Sequence, residues 1–592
     1  MSTPLTTTRT ATHRGADPLT VGVVWNALIA YCEEMGLTLR RTAFSEAVRE
    51  GQDFSTGLFD AQGRMIAQGD FSPGHLGSMP YMIQHVTEVY PADTLKPGDA
   101  ILTNDLYIGS GHLPDFFLVT PAFDDAEKLI GYAVNCAHQI DVGGYVPGSQ
   151  AVEGVHEHFQ EGIRILPTKA WKAGEYNEDL ARFISANVRI PEKVLGDIQA
   201  MRNANRIGEV RLRELFARYG EETMEASIER IFDQSEAAIR AAIARIPDGR
   251  YEFTDYLDDV GRGTDPVTVH VAVTVAGDSV TVDFAGSSPQ TESGINSPIN
   301  YTRAYGIFAI RTLTDPLVPQ NEGGLRPITI TAPLGSFFNP KPPCSAGARA
   351  IVQVRIYEVI NAALAPVLPQ QALGSLSHWA NPCIGGENPA TGRRFIVYDI
   401  GMAGYGATHD RDGVEGLAPV FNTRNIPVEV DETRSPIVVE RVELIPDSGG
   451  PGKYRGGLGL RKDIRLLADQ AVLSNLAERQ KFPGYGVFGG RPGAPGSTVL
   501  VRDGEEIRLG SKEIRKVFRN DLISQRLNGA GGYGNPLERD PAAVLRDVVG
   551  GYVTIEGARR DYGVIIDPAL PRVDEAATRA ERESRSADNS PN

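Results

Sequence analysis

The sequence predicts a large α+β protein, a multi-lobed mixed fold with a central helical segment and a β-rich C-terminal half. The chain has 592 residues, several times the roughly 100–200 residues of one domain. Its 64 glycines and 39 prolines favour turns and strands over a helical bundle. The hydrophobic period also changes along the chain, from helical spacing to alternation. These three observations support the prediction.

The N-terminal part divides into a polar segment and a region of helices and short strands. Residues 1–17 are rich in Thr and Ser and are predicted to be mobile. After them, over 18–170, apolar residues first recur at helical spacing, and Asp17 or Thr20 is a suitable N-cap. The later elements predicted here are a hairpin over 57–69, a helix around Tyr81–Val89, and strands over 99–109, 115–123 and 129–137.

The middle of the chain changes from helical to alternating periodicity. Residues 171–250 carry two long helical patterns separated by Gly220. Further on, the apolar residues of 265–286 alternate and predict a hairpin with Gly277 in its turn. We therefore assign a helical segment to 171–250 and a mixed α/β region to 251–432.

The last part of the chain is predicted to be rich in strands. Between 433 and 571, β-type runs are separated by Gly-rich turns. The segment 572–592 is charged and poor in apolar residues, so we expect it to be disordered. The clearest strand patterns lie at 437–445, 460–468, 471–479 and 497–509.

The composition argues against several partners and locations. There are 59 Lys and Arg against 75 Asp and Glu, and the net charge of −16 disfavours nucleic acid and anionic membranes as partners. The four cysteines form no CxxC pair, which suits a reducing compartment. No apolar run is long enough for a membrane span, and no secretory signal is recognised. We therefore expect a cytoplasmic protein.

Seven of the ten histidines lie in the first 158 residues, and two of them begin HxxD motifs. These motifs are His112-Leu-Pro-Asp115 and His138-Gln-Ile-Asp141, and each follows a predicted strand among glycines. Imidazole and carboxylate are ligands for Zn, Mn, Fe or Co. The alternative is that they are ordinary polar loop residues. Spacing alone does not decide between the two.

Other polar residues have both a functional and a structural interpretation. Asp53 could be a further metal ligand or could cap a helix end. His75 could act as a general acid or base, or be a hydrogen-bonded loop histidine. The alternating His156-Glu157-His158 could place two histidines on one face of a strand, but a solvated loop is favoured. Cys344 has no histidine near it in sequence and is better explained as a packed thiol.

Nucleotide and serine-hydrolase motifs are absent from the sequence. It contains no GxxxxGK[ST], no GxGxxG after a strand and no GxSxG. The Gly-rich segments 448–457 and 528–534 could cradle a phosphate, although tight turns between strands are the favoured interpretation. The sequence therefore carries none of these nucleotide-binding motifs.

Several segments resemble the hydantoinase B/oxoprolinase family. The resemblance runs in order from about residue 18 to 540 and includes NTRN at 422–425. The segments that carry it are RRTAFSEAVREGQDFSTGLFD, HLGSM, NDLYIGSGHLPD, AHQIDVGGYVPGS, QEGIRI, SGGPGKYRGGLG and GAGGYGNP.

The resemblance implies one subunit of an ATP-dependent enzyme. Members include B subunits of N-methylhydantoinases and caprolactamase-like lactamases, the C-terminal half of 5-oxoprolinase, and subunits of acetone and acetophenone carboxylases. In the family a separate A-type ATPase phosphorylates the substrate oxygen, and the B-type part carries a divalent metal ion. We expect a heterotetramer of two A-type and two B-type subunits. The metal ligands implied for this chain are Asp53, His112, Asp115 and His138.

The resemblance also suggests residues around the metal. Asp141 and His75 are expected to act as acids or bases or to support the ligands, and Glu161 lies in the family's Gln-Glu-Gly tripeptide. Two departures bear on the substrate and leave the ligand set intact. Asp105 stands where an oxoprolinase-like pattern has His, and the Glu50–Asp53 spacing differs by one residue from the commoner one.

Three functions are compatible with these features. The first is an ATP-dependent hydrolase of cyclic amides (hydantoin, lactam or 5-oxoproline), in which this chain hydrolyses a substrate whose carbonyl oxygen the partner has phosphorylated. The second is a subunit of an ATP-dependent ketone carboxylase of the acetone or acetophenone type. The third is a non-catalytic scaffold for the ATPase subunit. We favour the hydrolase.

Overall fold

A seven-stranded antiparallel sheet forms the N-terminal part of the structure, a computed structural model that describes residues 17–588. Its strands are β1 (Phe54–Asp60), β2 (Met65–Gln68), β3 (Ala100–Thr103), β4 (Asp115–Phe123), β5 (Leu129–His138), β6 (Thr168–Lys172) and β7 (Glu175–Tyr176). They lie in the order β2-β1-β5-β4-β3-β6-β7. Strands β1, β4 and β5 are buried along almost their whole length, so both faces of the sheet are covered.

Helices of the N-terminal and central segments surround this sheet. They are α1 (Pro18–Thr42), α2 (Glu46–Arg49), α3 (Pro73–Val89), α4 (Glu178–Asn187), α5 (Pro191–Tyr219) and α6 (Glu221–Ile243). Helix α1 begins as predicted, because Asp17 Oδ1 accepts hydrogen bonds from the backbone N–H of Leu19 and Thr20 at 3.0 and 3.1 Å. The two long helical patterns are α5 and α6, which meet at Gly220 with a φ of 76°.

Helix α3 begins earlier than the sequence indicates. It starts at Pro73 rather than near Tyr81, so His75 lies in a first helical turn and not in a loop. A proline is tolerated at the first helical position, where its missing N–H has no intrahelical partner anyway. Pro80 lies inside the helix, which is stabilised by its buried apolar face.

A second sheet follows in the mixed α/β region. It consists of β8 (Gly249–Leu257), β9 (Val267–Ala276), β10 (Ser279–Asp283) and β11 (Ile328–Thr331), in the order β11-β10-β9-β8. The predicted hairpin is β9–β10, with Ala276 paired to Ser279 across the Gly277 turn. The helices of this region are α7 (Ile299–Thr314), α8 (Glu322–Leu325) and α9 (Gln353–Leu364). Helix α7 packs against α3 and α9, and this contact brings the second region to the first sheet.

Two further sheets form most of the β-rich C-terminal half. Their strands are β12 (Cys383–Glu387), β13 (Arg394–Tyr398), β14 (Ile437–Leu444), β15 (Leu460–Leu466), β16 (Gln470–Leu476), β17 (Ser497–Arg502), β18 (Glu505–Leu509), β19 (Lys512–Phe518) and β20 (Leu522–Arg526). One sheet has the order β13-β12-β16-β19 and the other β14-β15-β20-β17-β18. A short helix, α10 (Val428–Arg434), precedes β14. The predicted α+β class is therefore confirmed.

The C-terminal segment corrects one prediction. Helices α11 (Pro541–Val549), α12 (Ile555–Tyr562) and α13 (Glu575–Asp588) end the described chain, so most of 572–592 is ordered rather than disordered. Arg582 donates to the carbonyl oxygens of Tyr562 and Arg539 at 3.0 and 2.8 Å. The charged side chains find partners on other helices, which composition alone does not reveal. Residues 1–16 and 589–592 lie outside the described residues, so the mobile N-terminus stays a prediction.

The two Gly-rich segments pack against each other. The backbone N–H of Gly450 donates to Ala530 O at 2.7 Å, and that of Tyr454 donates to Tyr533 O at 3.0 Å. A Cβ on Gly450 would lie 2.3 Å from Arg491 O, so only glycine fits there. This close backbone packing supports the interpretation as turns over that as a phosphate cradle.

The described residues are 17–588. Within these residues no helix combines the length and the apolar character needed to cross a membrane.

The close approach of α3 and α7 can be tested at Gly77. A Cβ on Gly77 would lie 2.6 Å from the Cα and Cβ of Ala304, and the backbone cannot move there without shifting both helices. We expect Gly77→Ala to lower the thermal unfolding midpoint, through an overpacking cost of about 1–3 kcal/mol.

The matched control is Gly22→Ala in α1. Nothing lies within 4 Å of a Cβ at this position, so alanine should stabilise the helix by about 0.5–1 kcal/mol. If Gly77→Ala behaved in the same way, the contact between α3 and α7 would not be sterically limiting.

Candidate metal centre

Three acidic or imidazole side chains meet where neighbouring strands of the first sheet end. Asp53 immediately precedes β1, Asp115 begins β4 and His138 ends β5. The register pairs Asp115 with His138, and the backbone N–H of His138 donates to Asp53 O at 3.0 Å. Antiparallel pairing therefore places the three residues side by side at one edge of the sheet.

The side chains of His112, Asp115 and His138 form a tight buried cluster. Asp115 Oδ1 lies 2.8 Å from His112 Nε2 and 3.0 Å from His138 Nδ1. Potential ligand atoms of the three residues lie within 4.8 Å of one another. Asp53 Oδ2 is 3.9 Å from His138 Nδ1, so the fourth expected ligand faces the same point. The four residues expected from the sequence are thus brought together, and we call this group the candidate metal centre, or metal centre for short, below.

His112 presents an unprotonated nitrogen to this centre. Its Nδ1 lies 2.9 Å from Gly347 O and donates to it, so the neutral ring has a lone pair on Nε2. Burial lowers the pKa of His112 to about 4, and the positive charge of Arg349 adds to the effect. Although Nε2 is close to Asp115 Oδ1, it makes no hydrogen bond. His112 Nε2 and Asp115 Oδ1 both carry a lone pair and share no proton at this distance. Both atoms are therefore placed to bind the same cation.

The donor set suits a divalent ion of the zinc, manganese, iron or cobalt type. The four residues supply two imidazole nitrogens and two carboxylates, and a second buried group around the same carboxylate, His75, Asp115 and Cys136, adds an imidazole and a thiol. The hydrogen bond from His112 to a carbonyl is the usual way in which a protein orients a metal-binding imidazole. Asp53, His112, Asp115 and His138 therefore fit the role that the sequence suggests.

His75 lies at the same centre. Its Nε2 is 3.1 Å from Asp115 Oδ2 and 3.8 Å from Asp53 Oδ1, and its Nδ1 is 3.3 Å from Ser55 Oγ. Burial alone would lower the pKa of His75, but the negative charges of Asp115 and Asp53 outweigh it and raise the pKa. The start of α3 at Pro73 thus places this imidazole where it can hold a proton beside the metal ligands.

Asp141 lies away from the metal centre. Arg189 Nη1 donates to its Oδ1 at 2.8 Å, and the backbone N–H groups of Arg189 and Gly143 donate to its Oδ2 at 2.7 and 3.1 Å. The same guanidinium donates to the carbonyl oxygens of Gly143 and Gly144. Asp141 therefore organises the turn after β5 and does not face the reacting side.

Glu161 also lies behind the centre. Its Oε1 accepts hydrogen bonds from the backbone N–H of Ala346, at 2.7 Å, and of Gly347. Burial raises the pKa of Glu161 to about 8, against the effect of these two N–H groups. Since Gly347 O orients His112, Glu161 is a positioning residue for that ligand.

The remaining polar residues singled out in the sequence do not face the centre. Asp105 forms an ion pair with Arg164, with Nη2 2.7 Å from Oδ2. Exposed His156 contacts Glu292 O, whereas His158 is buried beside Tyr107. Cys344 is a buried free thiol whose pKa burial raises to about 12, as expected for a packed cysteine.

A small cavity of about 30 Å³ lies beside the metal centre. That volume is roughly the share of one water molecule in the liquid. Most residues of the cavity wall are not predicted from the sequence, because they come from distant segments and have no common spacing. The residues missed include Tyr301, Tyr305, Arg349, Gln353, Trp379, Tyr398 and Phe421.

Known proteins resemble this chain over most of its length. The sequence profile of the hydantoinase B/oxoprolinase family matches residues 17–536. A protein from Pseudomonas sp. (strain NS671), named as the B subunit of a D-/L-hydantoinase, is 35% identical over 93% of this chain and 95% of its own length. The beta subunit of the Pseudomonas jessenii caprolactamase is 31% identical over 96% of this chain and 99% of its own length.

Two solved structures share the fold. The crystal structure of an ATP-dependent caprolactamase from Pseudomonas jessenii superposes with a TM-score of 0.89 at 30% identity, over 96% of this chain and 100% of that one. A nucleotide-free acetone carboxylase superposes with a TM-score of 0.86 at 23% identity, over 97% of this chain and 84% of that one. The second likeness establishes a common fold only.

Metal binding can be tested by changing the two histidine ligands one at a time. We expect His112→Ala and His138→Ala to lower the content of Zn, Mn, Fe or Co measured by mass spectrometry after dialysis, because each removes one of the two imidazole donors of the candidate centre. His85→Ala is the control, since His85 is on α3 but half exposed and away from the centre. Unchanged metal content in both ligand variants would contradict the assignment.

The positioning role of Glu161 can be tested with two substitutions. Glu161→Ala leaves the N–H groups of Ala346 and Gly347 without an acceptor, and we expect about 10–100-fold weaker metal affinity. Glu161→Gln keeps an acceptor oxygen and should restore most of the affinity. Equal affinity in the wild type and Glu161→Ala, measured by competition with a chelator, would rule out this role.

Proposed function

Because the chain belongs to the hydantoinase B/oxoprolinase family, we propose that it is the metal-containing B subunit of an ATP-dependent hydrolase of cyclic amides. The substrate would be a hydantoin, a lactam or 5-oxoproline. In this proposal an A-type ATPase subunit phosphorylates the carbonyl oxygen of the substrate, and the present chain completes the hydrolysis.

One observation carries the proposal: the buried cluster of His112, Asp115 and His138 on the wall of a cavity. Two relatives that are 30% or more identical over nearly the whole chain carry names of cyclic-amide hydrolases. The name "ATP-dependent caprolactamase" associates that activity with ATP in a relative. We therefore favour amide hydrolysis over the carboxylation of ketones.

The chemistry requires both activation and a proton carrier. An amide resists water because attack destroys its resonance and the nitrogen is a poor leaving group, whereas phosphorylation of the oxygen makes the carbon electrophilic. When bound, a divalent ion supplies Lewis acidity and activates water near neutral pH. His75 is the residue that we assign to proton transfer, because its Nε2 is within reach of the centre and its Nδ1 is held by Ser55.

The aromatic wall of the cavity would bind the ring and exclude water. Tyr301, Tyr305, Trp379, Tyr398 and Phe421 all line it. A lactam is larger than the present cavity of about 30 Å³, so the wall has to move for the substrate to enter. We assign that movement to Phe421, which lies between β13 and α10 in a segment without helix or strand.

A partner subunit is part of the proposal. The sequence has no nucleotide-binding motif, and two relatives are named as one subunit of a larger enzyme. The expected complex contains two A-type and two B-type subunits. A two-fold axis is the commonest symmetry element of soluble oligomers, and such an axis would relate the two copies of each subunit.

The test is ATP-dependent turnover by the two subunits produced together. The complex, loaded in turn with Zn, Mn, Fe or Co, is supplied with caprolactam, hydantoin or 5-oxoproline, and the ring-opened acid and ADP are quantified. We expect ring opening that depends on ATP and metal and that falls by about 100-fold or more in His138→Ala, because the metal-dependent activation of water is lost. His85→Ala should retain wild-type turnover.

Two other results would contradict the hydrolase. A β-keto acid carrying label from bicarbonate, without ring-opened acid from any cyclic amide, would indicate a ketone carboxylase. Full activity of the complexes that contain His112→Ala or His138→Ala would indicate that this chain is a scaffold.

A further inference from the structure

A buried arginine, Arg349, faces the cavity beside the metal centre. Its side chain is 4% exposed and lines the cavity. Nε donates to Ser110 O at 2.6 Å, and Nη2 donates to Asp115 Oδ2. The guanidinium carbon lies 3.8 Å from the centre of the Tyr301 ring. These contacts hold the plane of the guanidinium in one orientation.

One nitrogen of Arg349 is not used by the protein. A guanidinium carries five N–H donors in a plane. Ser110 and Asp115 engage Nε and Nη2, whereas Nη1 has no hydrogen-bond partner among residues 17–588. Asp115 Oδ2 already receives the Ser110 hydroxyl and lies 3.1 Å from His75 Nε2. Arg349 therefore does more than neutralise this carboxylate, and its Nη1 donors are available to a ligand.

The charges around the cavity favour an anion. Among the described residues that line it, the carboxylates are Asp53 and Asp115, and the permanent cation is Arg349. A divalent ion would balance the two carboxylates, which leaves the charge of Arg349 without a counter-charge on the wall. A buried unbalanced charge is costly, so a bound anion is stabilised at this place.

We propose that Arg349 is the anion-binding residue of this cavity, and that its Nη1 holds a phosphoryl oxygen of the activated substrate next to the metal centre. The inference rests on the proposed function, because a phosphorylated carbonyl oxygen is the anion that such a reaction brings here. The planar guanidinium matches phosphate oxygens better than a lysine ammonium does. The cavity of about 30 Å³ accommodates one oxygen-sized group in its present form, and the rest of the substrate requires the movement of Phe421.

The probe is inorganic phosphate, bound to the full-length chain loaded with Mn²⁺ and without the ATPase subunit. Relaxation of the ³¹P signal by Mn²⁺ reports phosphate beside the metal, and its titration yields a dissociation constant. The variants are Arg349→Met, which removes the charge, and Arg349→Lys, which keeps it without the planar fork. His85→Ala is the control, because His85 is half exposed and is not among the residues that line the cavity.

We expect phosphate to bind at least about tenfold more weakly to Arg349→Met than to the wild type, with an intermediate loss for Arg349→Lys, since a charge-assisted hydrogen bond is lost at Arg349. His85→Ala should bind phosphate within about twofold of the wild type. Manganese content should be equal in all four proteins. Wild-type phosphate affinity in Arg349→Met would overturn the proposal. Joint loss of manganese and phosphate in both Arg349 variants would also overturn it, because Arg349 would then only hold Asp115.

This test is independent of the catalytic assay. Loss of phosphate affinity in Arg349→Met would support the anion-binding role even if no cyclic amide were hydrolysed, since the phosphorylated group is common to the carboxylase alternative. Conversely, ring opening by the wild type together with normal phosphate binding by Arg349→Met would leave the hydrolase standing and remove only the role of Arg349.

Discussion

The burial of one carboxylate, that of Asp115, constrains the arrangement of the whole site. A buried negative charge is stable only when cations and hydrogen-bond donors surround it. Burial would raise the pKa of Asp115, but the neighbouring imidazoles of His112 and His75 and the guanidinium of Arg349 hold it well below its usual range. These groups come from the loop before β4, from α3 and from the turn before α9. Each of these three elements is therefore held in place by its contact with the Asp115 carboxylate.

The second half of the chain completes the site from the other side. Tyr398, at the end of β13, packs its ring 4.8 Å from that of His138. A buried ionic network ties this half to the centre of the molecule: Arg479 pairs with Asp255 at 2.8 Å, and Arg355 pairs with Glu358 at 2.7 Å. Removing one partner of such a buried pair typically costs about 3–5 kcal/mol. This network holds the β-rich half of the chain against the region of β8 and α9, whereas Phe421 of the cavity wall lies in a segment without helix or strand.

The two HxxD motifs show how far the candidate site could be predicted. In the first motif both His112 and Asp115 reach the centre, because Asp115 begins β4 directly opposite His138. In the second motif only His138 does so. Strand β5 ends at this residue, and Asp141 lies in the following turn, where Arg189 binds it. The two motifs are identical in spacing and differ in where the strand lies, so sequence alone could not separate their roles.

The helical and strand patterns were predictable because they depend on local periodicity, as for α1, α5, α6 and the β9–β10 hairpin. Helix α13 was missed because its charged side chains are satisfied by tertiary partners, such as the Tyr562 carbonyl that accepts from Arg582. The four candidate metal ligands were indicated by the resemblance to a family whose motifs occur in the same order. The spacing of the residues alone did not indicate them.

By itself the sequence determined the fold class and the family, and it predicted the four residues of the candidate metal centre, because each of these depends on local patterns or on motifs that occur in order. Only the tertiary structure decided what surrounds the centre. In the structure Glu161 lies behind His112, and Asp141 is bound by Arg189 and does not line the cavity. The tertiary structure also brought Arg349 to Asp115. The physical reason is that electrostatic and packing contacts act across space between segments that are far apart in sequence, and no local pattern records them.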